Sequence, residues 1–275
     1  MKSIESIHEI TKAMEMIAAF RFKRAEGRFS KSKIYFGEME RLVVNLSKNA
    51  ENLVHPLFEK RKALKKTLVV MTGDKGLCGA YNANLLKATA SWLKANESGE
   101  TGLVAVGKIA ADFFKKKHLN VVSAYPEKSA VDLGLAKKIT AELKTLFLSG
   151  KTDSVEFLYT SYRPGGSGRT GIIPFLGLGT LLEKEKSVPV DDTIYEPGFE
   201  AVFISLVEKY LEAKTYLCLL ESLVSETSAR RVAMKQATEN GEEVLDHLKL
   251  LRNKTRQATI TRELSEIVSG ASVLV

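Results

Sequence analysis

The sequence predicts an α/β chain built as a small body on a long rod: a long antiparallel coiled coil of the N- and C-terminal helices, with an α/β domain between them. Three observations predict it. All six prolines lie between Pro56 and Pro197. The two ends outside them carry apolar residues at heptad spacing, and the centre alternates short β-branched runs with helical stretches. Only Gly27 and Gly37 interrupt residues 2–55, and only Gly241 interrupts residues 199–269. At the α-helical rise these would be helices of about 80 Å and about 105 Å. A compact domain of the roughly 140 residues between them is only about 35 Å across. The ends must project beyond the body, a shape suited to reach or torque.

The first helix occupies a region spanning residues 1–58. Its apolar positions Met39, Val43, Leu46, Ala50, Leu53 and Leu57 alternate in steps of four and three, and Pro56 falls where it should stop. The last helix occupies residues 197–275. It repeats the alternation at Phe203, Leu206, Tyr210, Ala213, Leu217, Leu220 and Val224, and Pro197 stands just before its start. If both helices leave the body at one point they are antiparallel, which places the two cleanest heptad stretches side by side. Beyond that base the seam degrades to Thr227, Arg231, Met234, Thr238 and Gly241. The first thirty residues carry Ile4, Ile7, Ile10, Met14 and Ile17 on one side, then Phe20, Phe22 and Phe29. The far half of the rod is expected to show mixed apolar and polar faces to something outside, because bare Phe and Ile on a rod tip invite aggregation.

The middle region, residues 66–190, reads as strand and helix in turn. Residues 67–71 (TLVVM), 103–106 (LVAV), 120–123 and 155–159 are expected strands, with helices over 80–96, 108–117 and 131–148. Such alternation argues for a mainly parallel, Rossmann-like sheet with helices on its faces. Residues 163–171 (RPGGSGRTG) read as a solvated, flexible loop.

Candidate chemistry is thin. The turn GDKGLCG holds Gly73, Gly76 and Gly79 but meets neither the dinucleotide fingerprint nor the P-loop pattern, so its glycines read as packing residues. Asp74 and Lys75 in that turn are open to a surface ion pair or a polar contact to the rod. Cys78 and Cys218 lie far apart and read as structural thiols in a reducing compartment. His8, His55, His118 and His247 show no ligand spacing, and no nucleophile has an identifiable base. No catalytic, cofactor or metal site is expected. The net charge of +8 favours acidic partners, but a dense basic stripe with interleaved aromatics, as nucleic-acid binding would need, is missing. No apolar run approaches the length of a membrane span. With Glu5, Glu9 and Glu15 the N-terminus reads as neither a signal nor a transit peptide.

Three segments carry a resemblance: ITKAMEMIAA (10–19), followed by Arg24 and Ala25; DKGLCGAYN (74–82); and the pair ETSARRVAMKQATENG (226–241) and NKTRQATITRELSEIVSGA (253–271). Together they resemble the gamma subunit of the rotary F-type ATP synthase in its bacterial form, over the whole chain in order. The resemblance implies a non-catalytic central rotor shaft without cofactor. Its partners would be the alpha and beta subunits of the catalytic hexamer, the epsilon subunit and the membrane c-ring. It would be peripheral on the cytoplasmic face of the bacterial cell membrane, with no direct insertion. Its turning would couple proton flow to ATP synthesis or hydrolysis.

By the same resemblance Arg256, Gln257 and Thr261 would engage an acidic loop of the catalytic subunits. Arg230 and Glu266 would face the hexamer, as would Lys12 and Met14, and Tyr195 and Glu196 would form the foot near the ring. The chain starts later in the first helix than the family pattern, as if translation began inside it. Glu9 and Glu15 stand where lysine is frequent, and the cysteine-bearing insert of the chloroplast form is missing. The alternative reading from the residues alone is a nucleotide-dependent α/β enzyme with a coiled-coil oligomerisation arm.

Overall fold

The computed structural model of the chain describes residues 2–48, 57, 61, 64–126, 131–165, 168–176, 196 and 198–273. Two helices dominate it. α1 (Lys2–Lys48) has 47 residues and α5 (Phe199–Val273) has 75, about 70 Å and about 110 Å long. Between them lie β1 (Lys65–Met71), α2 (Tyr81–Ala95), β2 (Glu100–Val106), α3 (Lys108–Lys116), β3 (Val121–Tyr125), α4 (Leu133–Leu148), β4 (Ser154–Ser161) and β5 (Arg169–Leu176). The expected positions Ala50, Leu53, Pro56 and Pro197 lie outside the described residues.

The strands form one sheet in the order β3-β2-β1-β4-β5. The first four are parallel and β5 is antiparallel to β4. Both faces are covered, which is why β1 is continuously apolar rather than alternating. Val69, Met71, Val104, Val106, Val155 and Phe157 face α4 and α5, whereas Leu68, Val70, Leu103, Ala105 and Leu158 face α2 and α3. α4 starts on a side-chain cap, with Asp132 accepting from the Leu135 N–H at 2.7 Å.

β5 is a correction to the sequence reading. Residues 169–171, expected within a flexible loop, begin this strand. Gly171 and Pro174 hid it, since a strand bearing proline is tolerated only at an edge. β5 is such an edge, and its Phe175 stacks on Phe157 at 4.2 Å.

α1 and α5 run side by side in opposite directions. Phe36 stacks on Tyr210 at 5.3 Å, Arg28 reaches the Tyr216 hydroxyl at 2.9 Å, Arg231 lies over the Phe22 ring at 5.3 Å, and His8 meets Gly241. In α1 the buried residues are Ala18, Ala25, Phe29, Met39, Val43 and Leu46. Ile7, Ile10 and Ile17, expected on the apolar side, are each more than half exposed. Near the start of α1 the buried stripe is rotated away from them, onto Ala18 and Ala25. α5 departs from a single stripe as well. Besides Phe203, Tyr210, Leu220 and Val224 it buries Val207, Leu211, Thr215, Cys218 and Leu219, because between Phe203 and Thr227 it lies between α1 on one side and the sheet on the other.

Candidate functional site

The junction of α5 with the carboxyl edge of the sheet is the most elaborated polar region among the described residues. β1 ends at Met71, and the chain turns through residues 72–80 into α2. The buried Tyr81 hydroxyl sits 2.7 Å from Ser222 Oγ of α5, and Ser222 Oγ also donates to the Met71 carbonyl at 3.3 Å. Thr72 Oγ1 accepts from the Ala110 N–H at 2.9 Å, and Gly73 N–H donates to Asn82 Oδ1 at 2.9 Å. A Cβ at Gly73 would stand 2.7 Å from Glu226 Oε1, so that carboxylate would have to shift. Gly107, at φ +98°, must lack a side chain, because its Cβ would fall 2.3 Å from the Thr72 carbonyl.

Arg230 closes this junction. Its guanidinium contacts Glu226 Oε1 at 2.9 Å and donates to the carbonyls of Lys75 at 3.1 Å and Gly76 at 3.2 Å. The polar contact left open for Asp74 and Lys75 is thereby resolved. The Lys75 backbone, not its side chain, meets the rod, while Asp74 accepts from the Lys108 N–H at 3.2 Å. In open parallel sheets ligands bind outside the carboxyl ends of the strands, where the strand order reverses. Here that crevice, beside β1 and β4, is filled by Ser222, Glu226 and Arg230 of α5.

A second set of polar contacts ties all three parts together. Tyr162, just after β4, donates from its hydroxyl to Glu26 of α1 at 2.7 Å, and its N–H donates to Glu221 of α5 at 3.1 Å. Burial raises the Tyr162 hydroxyl to about 12, and the Glu26 carboxylate beside it adds to the rise. Burial also lifts the Glu221 carboxyl above its ordinary range, against the Tyr162 N–H, Tyr159 and Lys33, which favour its charged form. Arg28 of α1 spans to the Val131 carbonyl ahead of α4 at 2.5 Å. Both cysteines are buried free thiols. Burial raises Cys78, and it raises Cys218 to about 12, which keeps both protonated and unreactive at neutral pH.

The residues singled out in the sequence fall into three groups. Arg256, Gln257, Thr261 and Glu266 lie on the last stretch of α5, where every residue from Leu251 to Ile267 is exposed. Thr261 Oγ1 donates to its own helix at the Gln257 carbonyl, and Glu266 sits 3.6 Å from Arg262. Lys12 is exposed and Met14 half-buried on α1. Arg230, expected to face the hexamer, lies on the β1–α2 turn, with its side chain 15% exposed. Glu196 is exposed, and Tyr195 lies outside the described residues. Sequence reasoning missed Tyr81, Ser222, Glu226 and Tyr162. The available signal was the run Ser222, Ser225, Glu226 and Thr227, small and polar residues interrupting an apolar helix opposite a glycine-rich turn.

His8 opposite Gly241 and Tyr210 opposite Phe36 set the helix register. By that register the start of α1 lies opposite about residue 247 of α5, so the last 25 or so residues extend some 35–40 Å beyond it. Apolar side chains remain bare there and on the adjoining α1: Leu250, Leu251, Leu264 and Ile267, with Ile10 and Phe20, are all more than half exposed. Exposed apolar surface of this extent on two helices marks a site for a partner. Among the described residues no helix is long and apolar enough to cross a membrane.

Comparison with known proteins bears on this arrangement. The family profile described as ATP synthase matches residues 1–274. The chain is 34% identical over 290 residues to the ATP synthase gamma chain of Chloroherpeton thalassium, covering all of this chain and 95% of that one. It is 35% identical over 275 residues to the gamma chain of Moorella thermoacetica, covering all of this chain and 96% of that one. In fold it is similar to a chain of the central stalk and c-ring of the Tetrahymena thermophila mitochondrial ATP synthase, with TM-score 0.63 and 24% identity, over 83% of this chain and 99% of that one. A chain of the Euglena gracilis mitochondrial ATP synthase matches with TM-score 0.66 and 18% identity, over 99% of this chain and 91% of that one.

Proposed function

The chain belongs to the ATP synthase gamma chain family, the rotor of the central stalk, and from that premise we propose how its geometry transmits torque. The paired helices act as an antiparallel coiled-coil shaft, and the sheet is a Rossmann-like body clamped to its side. The shaft tip enters the axis of the alpha–beta catalytic hexamer. The opposite end, with Tyr195 and Glu196, rests on the membrane c-ring, and the epsilon subunit joins the α/β body. The protein is peripheral on the cytoplasmic face of a bacterial membrane. Proton flow through the ring turns the shaft, and the shaft drives synthesis or hydrolysis in the hexamer.

The observation that carries this reading is the bare apolar surface on the far half of the rod. Ile10 and Phe20 of α1, with Leu250, Leu251, Leu264 and Ile267 of α5, are all more than half exposed, and such a segment needs a sleeve. The shaft is also asymmetric, since α1 and α5 present different side chains around it. Rotation of an asymmetric axle presents each surrounding site with a different surface in turn, which is how one element biases distant sites. Arg256, Gln257, Thr261 and Glu266 suit a bearing: a charge-assisted hydrogen bond is worth about 1.5–3 kcal/mol, enough to transmit force yet able to break and re-form. Lys12, Met14 and Arg230 extend that surface. Arg230 also serves the shaft by fixing it to the body. The chain itself is non-catalytic, since the crevice where such a sheet takes a nucleotide is occupied by its own helix.

The test is the double variant Arg256→Ala/Gln257→Ala, assembled with the alpha, beta and epsilon subunits and the membrane sector in vesicles. ATP-driven proton pumping is expected to fall at least tenfold relative to ATP hydrolysis, or assembly to fail, while the isolated chain keeps its helix content. Normal pumping with normal assembly would overturn the assigned contacts.

A further inference from the structure

We propose that the edge of the α/β body from which its parallel strands start is a docking surface for anionic phospholipid headgroups. Backbone and side-chain contacts gather this edge. Glu100 N–H donates to the Leu64 carbonyl at 3.2 Å, Leu103 N–H to the Asn120 carbonyl at 2.9 Å, and Asp153 N–H to the Lys65 carbonyl at 2.7 Å. Lys66 Nζ donates to Asn96 Oδ1 at 2.8 Å. The starts of β1, β2 and β4 and the C-terminal ends of α2, α3 and α4 therefore lie together. On them stand Lys65, Lys94, Lys115, Lys116, Lys117 and Lys151, of which Lys65 is half-buried and the others are exposed. Among the described residues, the carboxylates Glu97, Glu100 and Asp153 stand beside these lysines. Asp153 accepts from the N–H groups of Leu64 and Lys65 at 3.1 and 2.9 Å, and Glu100 lies 3.9 Å from Lys65 Nζ. A substantial share of the chain's net charge of +8 thus sits on one edge.

A helix C-terminus gains from one or two cations, so part of this charge serves the helix ends. The consecutive Lys115, Lys116 and Lys117, joined by Lys94 of the neighbouring helix and Lys151 beyond α4, exceed that need. The residue type selects the partner. Lysine is a strongly hydrated point charge on a flexible stem, whereas recognition of a fixed phosphate or carboxylate favours the planar fork of arginine. A lysine array suits a fluid field of negative headgroups, where each lysine near the surface adds about fivefold in affinity. The edge also points the right way. Lys144 pairs with Glu208, and Phe147 at the end of α4 shares a core with Phe203 and Leu57, so the end of α4 lies beside the start of α5, remote from the tip. That this end faces the bilayer rests on the function proposed above. The affinity of the edge for anionic lipid does not.

The full chain is tested by co-sedimentation with vesicles containing phosphatidylglycerol and with vesicles of phosphatidylcholine alone. Selective, salt-sensitive binding to the former is expected. Lys115→Gln/Lys116→Gln/Lys117→Gln should weaken it about a hundredfold. Lys94→Gln/Lys151→Gln, which leaves α3 untouched, should weaken it by more than tenfold and guards against a folding defect in the first variant. The tip variant Arg252→Gln/Lys254→Gln/Arg262→Gln should bind as the parent does. Equal binding to both vesicle types, binding unchanged in both edge variants, or binding lost in the tip variant would each overturn the proposal. The assay needs no hexamer, so its failure would be distinct from a failure of the coupling experiment.

Discussion

Arg230→Ala is expected to destabilise the α/β body by about 3 kcal/mol, because the guanidinium bridges three acceptors at the shaft–sheet junction. It touches Glu226 Oε1, the Lys75 carbonyl and the Gly76 carbonyl, at 2.9, 3.1 and 3.2 Å. An exposed i,i+4 ion pair on a helix is worth only about 0.3–0.5 kcal/mol. This pair is not exposed: the Arg230 and Glu226 side chains are 15% and 9% accessible. Removing one partner of a buried pair costs about 3–5 kcal/mol. The lower end applies, because the adjoining Leu77 is exposed and water can reach the turn carbonyls once the arginine is gone. Arg230→Lys should recover less than half of the loss, since an ammonium cannot span a carboxylate and two carbonyls with one rigid fork. Urea denaturation followed by the fluorescence of Trp92, the single tryptophan, measures the effect. Its indole N–H donates to Glu156 Oε2 at 2.6 Å between α2 and β4, so it reports directly on the sheet. A double-mutant cycle with Glu226→Ala isolates the pair. A loss below about 1 kcal/mol for Arg230→Ala, or a coupling energy below about 0.5 kcal/mol, would refute the reasoning.

Two further outcomes follow from the same region. Gly107→Ala should cost about 3 kcal/mol or prevent folding, because the new methyl meets the Thr72 backbone at 2.3 Å and the residue sits at φ +98°. The same urea titration checks it, and Gly76→Ala, with open space around its Cβ position, is the matched control. Glu221→Gln should stabilise the chain at about pH 8 and leave it unchanged below about pH 4. Burial raises the folded carboxyl above its unfolded value, so the contribution of the protonated form is whole below the unfolded range and is lost as pH rises through the folded value. Thermal melts of both proteins across that range decide it, and a variant less stable at every pH would show that the hydrogen bond from Tyr162, not the buried charge, dominates.

Much of this protein is legible in one dimension, and the reason is periodicity. Long helices without prolines, heptad steps at Met39–Val43–Leu46 and Phe203–Leu206–Tyr210, and β-branched runs such as residues 67–71 are local patterns, and local patterns set element type and, through alternation, the sheet class. The placement of Arg256, Gln257, Thr261 and Glu266 far from the body also follows from chain length and helical rise alone.

Direction and partnership were decided by the tertiary structure. Which face of α1 is buried depends on what α5 offers opposite it, so Ala18 and Ala25 turn inward and Ile7, Ile10 and Ile17 turn outward, although the isoleucines are the more apolar. β5 exists because β4 presents an edge that a proline-bearing strand can pair with, a condition no local pattern contains. Arg230 points inward because a turn more than 150 residues away in sequence delivers two carbonyls beside Glu226. Periodicity is a property of neighbours along the chain. The fate of a single polar side chain depends on acceptors brought from elsewhere, and only the folded molecule assembles those.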